Sequence, residues 1–169
     1  MILFIPFTAA LDRSSFDCGR PALDRWFRES AGQQERENSA RTTLAVDESE
    51  TRIAGFFTLV AYRIEVDNLT ESLAGRSPRY PMSAVLLARM AVDRRYQGDG
   101  LGKIVLVEAL RRAADVSREI GFEIVVVDAM DEDAACFYLK HGFRRFEDHS
   151  LKLFMATKDL RAAFDADRA

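Results

Sequence analysis

The stretch Arg89 to Glu108, R-M-A-V-D-R-R-Y-Q-G-D-G-L-G-K-I-V-L-V-E, decides how the rest of the chain is read. Its beginning completes an apolar strand, Val85 to Val92. A polar turn with glycines at 98, 100 and 102 follows, and then apolar residues recur at helical spacing from Leu101 to about Ile120. That helix is expected to turn Ile104, Val105, Leu110, Ala113 and Ala114 inward and to end at Gly121. Strand, glycine turn and helix together favour an anion. Glycine lets the backbone approach closely, the first amides of a helix lack partners, and the helix dipole adds positive potential there. A diphosphate is therefore expected over Gln97, Gly98, Asp99, Gly100, Leu101, Gly102 and Lys103.

Two common phosphate loops are excluded by spacing. A P-loop needs four residues between its first glycine and a Gly-Lys-Ser/Thr end, and no hydroxyl follows Lys103. A dinucleotide loop needs G-x-G-x-x-G, and G-D-G-L-G is one residue short. Composition narrows the class further. The chain has 169 residues, 48% hydrophobic and 30% charged, which suits one soluble globular domain. A formal net charge of −3 argues against a wholesale basic surface. Basic groups are instead local, in Arg25, Arg28 and Arg36, in Arg94 and Arg95, and in Lys140, Arg144 and Arg145. Two cysteines, Cys18 and Cys136, make no disulfide framework, and no Cys/His spacing suggests a metal. No apolar run is long enough to cross a membrane, and the short apolar start Met1 to Phe7 reads as a strand. A cytoplasmic protein with reduced thiols is expected.

The remaining elements follow from pattern. Ile2 to Phe7 is a strand, and Pro21 opens a helix that is expected to reach about Gln34 and to fray or bend near Gly32. Arg41 to Val46 and Ile53 to Tyr62 form a hairpin about the acidic turn Asp47 to Glu50, which reads as a solvated tip. Asn68 to Tyr80 is loop-like and expected to be mobile. Ile124 to Val127 is a buried strand, Ala134 to His141 a short helix closed by Gly142, and 143–147 with 151–155 a hairpin before a helix from Lys158. The fold class is mixed α/β: a mostly antiparallel twisted sheet of about six or seven strands with helices on both faces.

Arg95-x-x-Gly98-x-Gly100, placed between strand and helix, resembles the acetyl-CoA pyrophosphate loop of the GNAT N-acetyltransferases. Ala134-Ala135-Cys136-Phe137-Tyr138-Leu139-Lys140-His141-Gly142-Phe143 resembles their A-x-x-[F/L]-Y-x-x-x-G-F segment. The resemblance implies a GNAT fold with acetyl-CoA as cofactor and no metal. It implies Tyr138 as general acid toward the departing CoA thiolate, and a backbone amide among Met90, Ala91 and Val92 facing the thioester oxygen. Asp131, just before the tyrosine helix, and Phe137, beside the tyrosine within it, join Arg95 in the cofactor-binding set. The thiol of the leaving group has a pKa of about 8.5 by analogy with cysteine, so a nearby phenol helps its expulsion. Asp128, Asp131 and Glu132 are candidate bases, and Asp131 also reads as a helix cap. Cys136 is a weak rival nucleophile, since His141 lies five residues on and off its helical face. Cys18 and His149 read as structural.

The N-terminal half narrows the resemblance. Phe16-Asp17-Cys18-Gly19 with Leu23-Asp24-x-Trp26-Phe27, Ile53-Ala54-Gly55-Phe56-Phe57-Thr58-Leu59, and Leu87-Ala88-Arg89-Met90-Ala91-Val92-Asp93 resemble the GNAT toxins of bacterial toxin–antitoxin pairs. These acetylate the α-amine of aminoacyl-tRNA and are neutralised by a ribbon-helix-helix antitoxin, and dimers are frequent among them. The resemblance thus implies aminoacyl-tRNA, an antitoxin and a homodimer as partners. A stand-alone GNAT enzyme acting on a small or protein amine, and a non-enzymatic acyl-CoA-binding module, are the other readings. Gly100→Asp is expected to weaken acetyl-CoA binding by about tenfold or more through like-charge repulsion. Calorimetric titration checks this, and unaltered affinity would place the diphosphate elsewhere.

Overall fold

The structure is a computed structural model that describes residues 1–65 and 81–166; the loop expected over Asn68 to Tyr80 lies outside the described residues. The elements run β1 (Ile2–Pro6), α1 (Pro21–Glu29), α2 (Ala31–Arg36), β2 (Arg41–Asp47), β3 (Arg52–Ile64), β4 (Met82–Val92), α3 (Leu101–Val116), β5 (Ile124–Asp128), α4 (Glu132–Lys140), β6 (Arg144–Arg145), β7 (Lys152–Ala156) and α5 (Thr157–Asp165). The strands form one seven-stranded sheet in the order β1-β2-β3-β4-β5-β7-β6. β1–β2, β2–β3, β5–β7 and β6–β7 pair antiparallel, whereas β4 and β5, joined through α3, pair parallel. This is the mixed, mostly antiparallel α/β fold expected, with a crossover where the glycine turn placed it and a further crossing where the chain from β5 passes β7 to reach β6.

By its contacts the chain divides into two compact units. One comprises Met1–Val60 with Ala88–Ala109, the other Ala61–Leu87 with Leu110–Ala169, so β3 and β4 each contribute to both. In the first unit, aromatic side chains form the centre. The Phe27 ring of α1 stacks on Phe56 of β3 at 4.1 Å between centroids, and Phe16 meets Phe27 edge-on at 4.9 Å. Leu44, Val46 and Ile53 complete that core. In the second unit, Ile124 and Val126 of β5 pack with Ile64, Met82, Ala84, Phe146 and Phe154. The four residues Ile124 to Val127 are all buried, as a continuous apolar strand requires.

Several boundaries differ from the sequence reading. The first helix does not run unbroken to Gln34. It stops at Ser30, whose φ of −114° leaves the helical range, and restarts as α2, with Gly32 buried inside the second piece instead of fraying it. α3 ends at Val116, four residues before Ile120, because the chain tightens into three-residue turns. Arg118 N–H donates to Asp115 O at 3.1 Å and Glu119 N–H to Val116 O at 3.0 Å. Ile120 is exposed in consequence, and Gly121 is not among the positive-φ glycines. Ile104 is also 51% exposed, not inward; Leu106 and Ala109 take the inward places beside Val105. The last hairpin is shorter on its first arm, β6 being Arg144–Arg145 alone.

Phe27 is fully buried between two rings, so its loss would open a large hole in the first unit. Phe27→Ala is expected to cost about 3–5 kcal/mol of stability, read as a lower urea midpoint.

Candidate active site

The turn after β4 is built on Asp93, a carboxylate with 1% of its surface exposed. Asp93 Oδ1 accepts from the Arg95 backbone N–H at 3.0 Å and from Arg95 Nε at 2.8 Å. Its Oδ2 accepts from Arg95 Nη2 at 2.8 Å and from the Asp17 backbone N–H at 3.1 Å. Burial alone would raise its pKa, but the hydrogen bonds from Arg95 and Asp17 outweigh burial and hold the carboxyl below its ordinary value. The Arg95 fork thus spends its donors on Asp93, so this side chain braces the turn from behind. Gln97 does the same: its Nε2 donates to Val92 O at 2.7 Å and to Cys18 O at 3.0 Å.

Beyond this brace the backbone opens. Gly98 and Gly100 have φ of +91° and +84°, and a Cβ at either would meet nothing within 4 Å. Here glycine is required by conformation, not by crowding. Gly98, Asp99, Gly100 and Lys103 are exposed and Leu101 is buried, anchoring the start of α3. Gly100 O receives the Ile104 N–H at 3.3 Å, which leaves the amides before it at the positive end of the helix. The sequence-derived set from Gln97 to Lys103 therefore forms one continuous turn with an uncovered backbone.

β4 itself changes character along its length. Its parallel pairing with β5 covers Ala84↔Ile124 to Leu87↔Val127 and stops there. Ala88 to Val92, which include Met90, Ala91 and Val92, lie beyond the last pair. On the other edge β3 comes exceptionally close. A Cβ on Gly55 would stand 2.8 Å from Ala91 O, and the Asp93 N–H donates to Ala54 O at 2.8 Å. The β2–β3 register slips at this point, pairing Ala45 with Gly55 but Val46 with Ile53. Next along β4, the Arg89 guanidinium lies 4.1 Å from the centre of the Trp26 ring.

In the second unit, Tyr138 occupies the last turn of α4 and is 7% exposed. The helix ends in a Schellman turn. Phe143 N–H donates to Tyr138 O at 3.1 Å and Gly142 N–H to Leu139 O at 3.3 Å, with Gly142 at φ +95°. Phe137 and Phe143 meet the Tyr138 ring edge-on at 5.4 and 5.5 Å. Burial pushes the phenol up to about 12, so it is a proton donor throughout the neutral range. Its hydroxyl has no hydrogen-bond partner among the described residues. At the other end of the helix, Asp131 Oδ1 accepts the Ala134 N–H at 2.8 Å, the capping role its position suggested.

The rival groups are otherwise engaged. His141 Nδ1 lies 2.7 Å from Phe137 O, facing its own helix and not Cys136. Cys18 is pushed up to about 11 by burial and by Asp24, which makes a thiolate unavailable at neutral pH. Asp128 faces Lys152 at 3.8 Å and Glu132 pairs with Arg145. Among the described residues no group of three or more His, Cys, Asp and Glu side chains is placed to hold a metal ion, and no helix is long and apolar enough to cross a membrane. Asp93 and Gly55 are the site-building residues that sequence reasoning missed. Both sat in quoted motifs, but their partners are far away in sequence.

Residues 39–145, which hold both the glycine turn and Tyr138, match the acetyltransferase (GNAT) domain, and the chain belongs to this family of acetyl-CoA-dependent N-acetyltransferases. Among its relatives is a tRNA-acetylating toxin of Mycobacterium tuberculosis, 30% identical over 89% of this chain and 89% of that protein. The structure of AtaT complexed with acetyl-methionyl-tRNAfMet superimposes with a TM-score of 0.86 at 27% identity, covering 97% of this chain and 99% of that one. The structure of AtaTR bound with acetyl-CoA gives a TM-score of 0.82 at 26% identity, covering 96% and 98%.

Asp93→Asn is expected to loosen the turn by weakening the hold on Arg95. The fold should lose about 1–3 kcal/mol, the range for hydrogen bonds to a charged group, and acetyl-CoA affinity should fall with it. Denaturant titration and calorimetry read the two effects separately.

Proposed function

We propose that this chain acetylates the α-amine of aminoacyl-tRNA and so acts as a translation-blocking toxin. The observation that carries the mechanism is Tyr138, a phenol held protonated by burial with its hydroxyl unengaged among the described residues. The acceptor is supported by similarity to a tRNA-acetylating toxin and to AtaT complexed with acetyl-methionyl-tRNAfMet.

In this reading the amides of Gly98 to Lys103 receive the diphosphate of acetyl-CoA, and the whole chain works as one catalytic domain. Arg95 and Gln97 hold that turn in shape, while Asp131 and Phe137 set the position of the tyrosine helix. An amide among Met90, Ala91 and Val92, in the part of β4 beyond its pairing with β5, polarises the thioester carbonyl. The neutral amine attacks the carbonyl carbon, the C–S bond breaks as the amide forms, and the amine proton passes to water. Tyr138 gives its proton to the departing thiolate and recovers one from solvent. His141, held on Phe137 O, gives Cys136 no activating partner, which supports direct transfer without a covalent enzyme intermediate. A ribbon-helix-helix antitoxin would neutralise the enzyme, a homodimer would be its working form, and the cytoplasm, where acetyl-CoA and charged tRNA meet, its place of action.

Acetyl transfer from labelled acetyl-CoA to bulk aminoacyl-tRNA tests the reading. Label is expected on the aminoacyl group, and Tyr138→Phe should slow transfer by about 10²–10⁴-fold while still binding acetyl-CoA. Because the phenol stays protonated up to about 12, the rate should rise with pH through the α-amine pKa of about 8 and not fall again by pH 10. Tight acetyl-CoA binding without transfer to tRNA would redirect the search to a small-molecule or protein amine.

A further inference from the structure

A second polar site lies in the first unit, on the side of α1 and α2. Arg13, in the loop after β1, lays its guanidinium over the Phe7 ring at 4.8 Å and nearer the edge of Phe27 at 6.0 Å. Its Nη2 donates a long bond, 3.4 Å, to Arg28 O, while its Nη1 is buried with no hydrogen-bond partner. A second guanidinium converges on the same point. A Cβ built on Gly32 of α2 would lie 3.7 Å from Arg13 Nη1, 3.4 Å from Arg36 Nη1 and 3.5 Å from Phe7 Cζ. Both guanidinium groups and the Phe7 ring thus lie within van der Waals reach of one point beside Gly32.

Two like charges brought together in this way need a counter-charge, and the neighbouring acids do not provide it. Asp12 turns to Ser14, accepting its N–H at 2.8 Å and its hydroxyl at 2.9 Å. Glu35 faces Arg41 at 3.2 Å, and Glu37 accepts from Gln33 Nε2 at 2.7 Å. Burial, and then the adjacent Arg36, press the Arg13 guanidinium below its ordinary value, the opposite of what a carboxylate partner would do. An unpartnered buried donor of this kind costs free energy that an incoming anion returns.

We propose that Arg13 and Arg36, over the floor made by Gly32 and Phe7, form a binding site for a backbone phosphodiester of the RNA acceptor, a role that rests on the tRNA reading above. Two guanidinium forks suit the oxygens of one phosphate better than any single lysine would. Arg36 is the exposed member; its side chain lifts by a rotamer change to admit the phosphate to Arg13 and then closes on it. The contact carries no sequence information. It positions the acceptor and makes its binding salt-dependent.

The test uses the full chain and fluorescently labelled, deacylated bulk tRNA, with Kd measured over a range of KCl concentrations. Arg36→Gln, an exposed change that spares the core, is expected to weaken binding about tenfold and to flatten the salt slope by about one. Arg36→Lys should keep the slope and recover part of the affinity. Arg13→Gln should act like Arg36→Gln if it folds, and the exposed variant decides the question if it does not. Unchanged Kd and slope in Arg36→Gln, with wild type acetylating charged tRNA, would overturn this site and leave the tRNA reading standing. A wild type that neither binds tRNA nor acetylates it would remove both. A loss confined to acetyl-CoA affinity would give the arginine pair to a phosphate of the cofactor and likewise overturn the proposal.

Discussion

A buried carboxylate with four donors on it holds the glycine turn in place. Asp93 receives three hydrogen bonds from Arg95 and one from the Asp17 backbone. It joins the end of β4, the start of the glycine turn and the loop before α1. Its own N–H completes the arrangement on Ala54 O, tying β3 into the same knot. A buried charge is costly unless its lone pairs are filled, and here each oxygen takes two donors. The consequence for the cofactor loop is indirect but strong. Arg95 and Gln97 are engaged as braces, which leaves the backbone at Gly98 and Gly100 open beside the exposed Asp99 and Lys103. Backbone amides do not change rotamer, which suits a site meant to receive a diphosphate in one pose.

The same preference for neutral, fixed groups extends to the titratable side chains. Burial lifts Tyr138 to about 12 and Cys18 to about 11, so neither ionises near neutrality. Under the proposed mechanism the Tyr138 proton would go to the leaving thiolate, while Cys18 stays an un-ionised thiol. The Schellman turn is what makes Tyr138 dependable in this role. It places Phe143 against the tyrosine ring and binds the Tyr138 carbonyl, which fixes the last turn of a helix only nine residues long.

What could be read from the chain alone was whatever depended on near neighbours. The glycine spacing at 98 and 100 announced positive φ, and both residues have it. The position of Tyr138 in its helix followed from the Gly142-Phe143 stop, and Asp131 was legible as a cap because its partner is only three residues away. Features that depended on distant partners were invisible. Asp93 meets Asp17 across 76 positions, and Gly55 is required by the Ala91 carbonyl on a different strand. The break at Ser30 carries no proline or glycine at the break itself, so an amphipathic pattern ran straight through it. Ile104 was placed inward because apolar residues usually are, yet in the first turn of α3 the buried places go to Leu101 and Val105.

The partial pairing of β4 has one more effect. β4 ends its ladder with β5 at Leu87 but continues to Val92, beyond the last β5 pair. Such edges are adhesive, and proteins normally blunt them with charge, proline or a bulge. In this chain the stretch 88–92 is Ala-Arg-Met-Ala-Val, with a single charged side chain that is itself turned onto Trp26. A strand edge of that composition carries little that would blunt pairing with a further strand.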